Sequence, residues 1–265
     1  MLTRMKTNSL ILCSALITAC ASSPTGRNQL ILFSDVQMSQ LGTQSFEQMK
    51  KQEKISTDEL TNAYVQCVTK SITSHVPPQP EFTDWEVVVF DSDQVNAFAL
   101  PGGKIGVYTG LLKVAKTPDQ LATVIGHEIA HVLADHSNER MSQSQLANTG
   151  LQITSVAIGA SDYAQYQNVT MAALGLGVQY GVILPYGRTQ ESEADIVGLE
   201  LMAKSGFDPY QSIELWKNMS KASGGSQPPE LLSTHPSHST RISELTAKAN
   251  ALPAYNAKRP VCSAP

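Results

Sequence analysis

Two histidines and a glutamate within five positions, His127-Glu128-Ile129-Ala130-His131, are the residues of this chain best suited to chemistry. On a helix, positions four apart differ by about 40° of rotation, so both imidazoles leave the same face at adjacent turns. That spacing lets two ring nitrogens reach one zinc ion at about 2.0–2.1 Å. Glu128 is turned about 100° away from His127 and cannot join as a ligand, but it can reach a water held by the same ion. Two histidines leave a tetrahedron incomplete. A catalytic site takes a third protein ligand and keeps one position open.

The third ligand is expected from Glu191-Ser192-Glu193-Ala194-Asp195 on another helix. Glu191 and Asp195 are four apart and share a face, whereas Glu193 points elsewhere. Metal-bound histidines usually donate their second N–H to an outer acceptor, so Glu191 is assigned to the metal and Asp195 to orienting His127 or His131. A His/His/Glu set favours zinc, one ion, over other divalent metals.

These residues need elements to position them. Thr117-Pro118-Asp119-Gln120 reads as a helix start: a threonine cap, proline at the first helical position, glutamine three residues after the cap. Leu121, Val124 and Ile125 before the motif and Val132 and Leu133 after it supply an apolar side. Upstream, residues 35–75 show a helical pattern stopped by Pro77-Pro78-Gln79-Pro80. Residues 85–90 are β-branched and aromatic, and 96–99 and 104–108 read as two more strands joined by Pro101-Gly102-Gly103. From Leu111 onward nearly everything reads as helix, apart from a loop over 221–236. The expected class is α+β, mostly helical, with a small sheet beside the metal-binding helix. No repeat of 20–50 residues is visible, and the length suits a single domain over 35–265.

Residues 1–19 have the anatomy of a signal peptide: Arg4 and Lys6, an apolar run from Leu10 to Ile17, then small residues. The run is shorter than the roughly 20 residues a membrane span needs. Ile17-Thr18-Ala19-Cys20 resembles the lipobox of bacterial lipoproteins, in which the chain is cut before the cysteine and that cysteine is lipidated. An ordinary signal peptide ending near a cysteine is the alternative. Residues 20–34 then form a lipidated tether, and Ala21, in place of an aspartate, implies the outer membrane by the same resemblance. Several acyl chains on Cys20 would anchor the protein firmly. Of four cysteines, Cys67 and Cys262 remain for one disulfide in an exported chain, the alternative being two free thiols. The net charge of −4, with no basic run, excludes nucleic acid as a partner class.

His127-Glu128-x-x-His131, followed some sixty residues later by Glu191-x-x-Ala194-Asp195, resembles the gluzincin metallopeptidases. More narrowly it is similar to the family of the HtpX-type membrane proteases, the CAAX prenyl protease and the Oma1-like peptidases. The similarity runs from about Trp85 to Ile242. It includes Val95 to Ile105, Thr109-Gly110-Leu111-Leu112, His131 to His136, His235-Pro236 and Arg241-Ile242. Members such as HtpX carry transmembrane helices. Here residues 150–184 are fairly apolar but contain Asp162, Gln165, Gln167 and Asn168, which argues against a span. The resemblance is therefore to a periplasmic, lipid-anchored branch.

The resemblance implies a zincin-like fold and a zinc-dependent endopeptidase with Glu128 as general base. It places the His235 loop near the metal, making His235, then Arg241, a candidate to stabilise the oxyanion. Alternatively, His235 caps the zinc in a resting state. His136 is read as structural or as supporting a ligand. The strand around Asn96 and Phe98 is expected at the cleft, pairing with an extended substrate through main-chain hydrogen bonds. Such binding suits polypeptide substrates that are unfolded or misassembled proteins of the cell envelope. The competing reading keeps the fold as a chaperone or assembly factor for outer-membrane proteins with little proteolysis.

Overall fold

The computed structural model describes residues 20–179, 184–222 and 238–265. Strands β1 (Cys20–Ser22) and β2 (Asn28–Leu30) form a small antiparallel hairpin. Helix α1 (Asp35–Gln52) starts with a full capping box, in which Ser34 and Gln37 each satisfy the other's backbone N–H. Helix α2 (Glu59–Thr73) is capped by Asp58, whose carboxylate accepts from the Thr61 backbone at 2.6 Å.

Strands β3 (Glu86–Phe90), β4 (Ala97–Leu100) and β5 (Lys104–Tyr108) make one sheet in the order β3-β5-β4. β3 runs parallel to β5, and β4 antiparallel to it, so β4 lies at an edge. The β4–β5 turn uses Gly102 and Gly103 at φ 86° and 71°, a left-handed pair that side chains other than glycine rarely tolerate.

Strand alternation sorts the sheet's two faces. Val89, Ala97, Ala99, Ile105 and Val107 join the main core, while Phe90, Phe98 and Tyr108 pack with Phe46 of α1 on the other side.

The remaining elements are helical: α3 (Thr109–Leu112), α4 (Pro118–Leu133), α5 (His136–Gly159), a 3-10 turn (Ala164–Tyr166), α6 (Gln167–Val178), α7 (Leu184–Lys204), α8 (Gln211–Ala222) and α9 (His238–Ala251). The class is α+β, as the sequence leads one to expect. Helix α4 runs through the middle, packed against α2, β4, α7 and α8. Its Leu121, Ile125 and Ile129 are fully buried, each contributing about 1.5–3 kcal/mol relative to an exposed position. Among the described residues no helix is long and apolar enough to cross a membrane.

Two features lie outside the sequence expectation or extend it. Residues 20–34, expected as a tether, are folded onto the domain. Gln29 donates to the Ala134 carbonyl at 2.6 Å, the Leu32 backbone donates to Ser142, and Asn138 donates to the Phe33 carbonyl at 2.7 Å. Polar residues that make the segment look solvent-borne bond inward, Gln29 as above and Arg27 to Glu139 and Glu193. At the other end, Cys67 of α2 is joined to Cys262 by a disulfide. The tail also returns to the start of α4, where Arg259 meets Asp119 at 2.5 Å.

Candidate active site

Helix α4 begins as its sequence dictates. Thr117 accepts from the Gln120 backbone at 3.2 Å, Pro118 follows it, and the Gln120 side chain accepts from the Lys116 backbone at 2.9 Å. Helix α7 crosses α4 at Gly126 and Gly198. A Cβ on Gly198 would lie 2.6 Å from the His127 backbone nitrogen, and one on Gly126 would lie 2.8 Å from the Gly198 carbonyl oxygen. Glu191, Asp195 and Gly198 occupy one stripe of α7 at i, i+4 and i+7, so the face that touches α4 also carries both acids.

That crossing brings His127, His131 and Glu191 into one group. The two Nε2 atoms are 3.1 Å apart, and Glu191 oxygens lie 3.4 Å from each. A tetrahedral ion with ligands at 2.0–2.1 Å separates its ligands by about 3.3–3.4 Å, so the triangle fits zinc closely. Among the described residues the donor set is two imidazoles and one carboxylate, one ligand short of the four that close a structural zinc site.

Glu128 is next to the metal position and beside the sheet edge. Burial pushes its carboxyl up to about 7, against the lowering influence of the neighbouring His127, Arg241 and Ala99 backbone. A group poised there is matched to proton transfer near neutral pH. A bound dication lowers it from that value.

Both imidazoles are held from behind. Nδ1 of His127 is 3.0 Å from Asp195, and Asp195 is gripped by Arg241 through Nε at 2.7 Å and a second nitrogen at 2.5 Å. Burial raises the Asp195 carboxyl, but the Arg241 charge and the His127 hydrogen bond outweigh it and hold it below the usual range. Nδ1 of His131 is 2.8 Å from Nδ1 of His136, whose Nε2 is 3.1 Å from Glu193. Burial holds His131 and His136 down to about 4, so both are neutral at pH 7. His127 behaves differently without a metal: burial opposes its charge, yet Asp195 and Glu191 raise it to about 10.

Residues 59–249 match Peptidase family M48. The chain belongs to that family. It is 40% identical over 180 residues to the mitochondrial metalloendopeptidase OMA1 of Arabidopsis thaliana, covering 68% of this chain and 34% of that protein. Against metalloendopeptidase OMA1 of Bos taurus it is 33% identical over 240 residues, 84% of this chain and 45% of the relative. Against the beta-barrel assembly-enhancing protease of Escherichia coli (strain K12) it is 28% identical over 214 residues, 80% and 43%. The chain thus spans less than half the length of these relatives. The M48 match covers the helix bearing His127, Glu128 and His131 and the helix bearing Glu191 and Asp195.

Other residues singled out by sequence fall differently within this M48 unit. Arg241, expected as an oxyanion donor, is buried over the Trp216 ring at 3.6 Å with its guanidinium committed to Asp195. A cation so committed positions His127 instead of reaching a substrate. Phe98, expected at the cleft, points to the far face with Phe46 and Phe90, because β4 alternates and Ala97 and Ala99 take the α4 side. Asn96 is exposed, and its carbonyl accepts from the Tyr108 backbone at 3.1 Å. With that pairing, the outward backbone groups of β4 are those of Ala97 and Ala99. His235 and Pro236 lie outside the described residues.

Sequence reasoning missed two partners, Glu193 and Arg27. Arg27 meets Glu193 at 2.9 Å and Glu139 at 2.6 Å. Burial opposes the Glu193 charge, but donors from Ser23, Thr25, His136 and Arg27 hold it down at about 2. The available signal was an arginine in a short polar stretch and a glutamate two places from a ligand, neither of which carries information without the fold.

Proposed function

We propose that the chain is a zinc-dependent endopeptidase acting on unfolded or misassembled proteins of the cell envelope. The triangle of His127, His131 and Glu191, with ligand separations of 3.1–3.4 Å and Glu128 alongside, carries this reading. When bound, the ion supplies Lewis-acid polarisation of a carbonyl and a lowered pKa for water. Glu128 takes the proton of the attacking water and passes it to the departing amine. Asp195, fixed by Arg241, keeps the His127 proton on Nδ1 and so leaves Nε2 free for the metal.

A substrate segment enters extended along β4, pairing with the outward groups of Ala97 and Ala99. Such pairing reads backbone rather than side chains, which suits clients that expose unfolded chain. Cys20 carries lipid and holds the enzyme at the periplasmic face of the outer membrane. The leader-like residues 1–19, the lipobox-like Ile17 to Cys20 and the Cys67–Cys262 disulfide support that address. The relative named for enhancing beta-barrel assembly supports an envelope client.

The test is Glu128→Gln in the purified chain, with zinc content measured alongside digestion of casein. Zinc retained and cleavage lost by about 10²–10⁴-fold supports the reading. Equal cleavage by both proteins would sink it. Wild-type protein that carries zinc but cuts nothing favours the assembly-factor alternative.

A further inference from the structure

Five side chains form an unbroken line from the metal position to the N-terminal hairpin. His131 Nδ1 lies 2.8 Å from His136 Nδ1, and His136 Nε2 lies 3.1 Å from Glu193 Oε2. The same Glu193 oxygen accepts from Arg27 at 2.9 and 3.1 Å. Arg27 then forks onto both oxygens of Glu139 at 2.6 and 2.7 Å. Every member except Arg27 is fully or almost fully buried, and Arg27 itself is only 18% exposed.

The line has a single consistent order of protons. A neutral imidazole has one N–H. With Nε2 of His131 given to the metal, its proton sits on Nδ1 and is donated to His136 Nδ1. His136 must then carry its proton on Nε2 and donate it to Glu193. Glu193 accepts it, and its remaining donors come from the hairpin: the Thr25 hydroxyl at 2.6 Å, the Thr25 backbone at 3.2 Å and Arg27. Metal-bound histidines are commonly oriented by a carboxylate or carbonyl. Here a second histidine is interposed, and the carboxylate behind it depends on a segment distant in sequence.

We propose that the β1–β2 hairpin is a working part of the metal centre, with Arg27 a positioning residue that fixes His131 through Glu193 and His136. The two ligand histidines are supported from different places. His127 relies on Asp195 and Arg241 within the helical body, and His131 relies on residues 25 and 27 of the hairpin. Displacing the hairpin leaves Glu193 without its main counter-charge, lets His136 turn, and frees the His131 ring. Metal affinity then falls while the helices remain packed.

The inference rests on the metal-site reading, and the experiment separates the two. In the full chain, Arg27→Lys and Arg27→Gln are compared with wild type and with Lys54→Ala, which breaks the exposed Lys54–Asp91 pair. Lysine keeps the charge but cannot fork between two carboxylates. Zinc affinity is read by competition with a chelator, and melting temperature is read with and without zinc.

The expected result is a roughly ten-fold weaker zinc affinity and a smaller zinc-induced rise in melting temperature in both Arg27 variants, with Lys54→Ala unchanged. A purely structural Arg27 would lower both melting temperatures together and leave affinity and the zinc-induced rise intact, which overturns the proposal. If Arg27→Gln does not fold, Arg27→Lys is judged by the same criteria. A wild type that takes up no zinc overturns the metal-site reading, and this inference with it.

Discussion

Gly126 and Gly198 face each other where the two ligand-bearing helices cross, each occupying the space a Cβ of the other would need. The contact sets the height of Glu191 relative to the histidines, because Glu191 is two turns along the same stripe of α7 from Gly198. A close approach of backbones thus fixes a ligand distance about 10 Å away along the helix.

Gly198→Ala is expected to destabilise the protein by about 1–3 kcal/mol, since the new methyl would meet the His127 backbone at 2.6 Å and nothing flexible can yield. It should also weaken zinc binding by moving Glu191. Gly150→Ala, in the interior of α5 with nothing within 4 Å, should stabilise by about 0.5–1 kcal/mol and leave zinc alone. Urea melts with and without zinc distinguish the two.

Zinc uptake at pH 7.5 should release about one proton, which His127 gives up on becoming a ligand. Calorimetry in buffers of different ionisation enthalpy measures it. The sign for stability follows from a pKa raised to about 10 in the metal-free chain. His127 contributes stability fully below about 6.5, and that contribution is lost as pH rises toward 10. His131 and His136, lowered to about 4, act oppositely: their contribution is present above about 6.5 and lost as pH falls toward 4. From these three histidines, metal-free protein should melt highest near pH 6.5, and added zinc should remove the alkaline decline.

Asp195→Asn removes the negative charge that Arg241 and His127 share. Zinc affinity should fall about 10–100-fold, and the buried Arg241 loses its nearer anion and keeps only Glu191 at 3.6 Å. Chelator competition gives the number. An affinity within two-fold of wild type would show that His127 needs no orienting partner.

Replacing Cys67 and Cys262 with serine should cost about 2–5 kcal/mol. The loss should be accompanied by release of the tail that carries Arg259 to Asp119 on the first turn of α4. Hydrogen exchange at the start of α4 and over residues 252–265 should rise together. Reductant added to the wild type should reproduce the effect.

The parts of this site visible in sequence were those set by local geometry. Helical phase placed His127 with His131 and chose Glu191 over Glu193, and the Thr117 to Gln120 cap located the helix start. The same phase that excluded Glu193 from the metal sends it toward His136, but nothing local says that Arg27, over a hundred residues away, will meet it there. Arg241 looked available because its carboxylate partner lies forty-six positions upstream. Phe98 was misplaced for a different reason: alternation separates its face from that of Ala97, yet only the packing of α1 and α4 shows which face is which. Tertiary crossings carry this information, and one chain read alone does not contain it in periodic form.

The Cys67–Cys262 bond closes a loop 195 positions long around nearly all of the peptidase unit. A single cut anywhere inside that loop leaves the two fragments covalently tied and migrating as one species until reductant is added. Self-processing of this protein, or its nicking by another protease, would therefore escape a non-reducing gel, and the same sample run with reductant would resolve it into two bands.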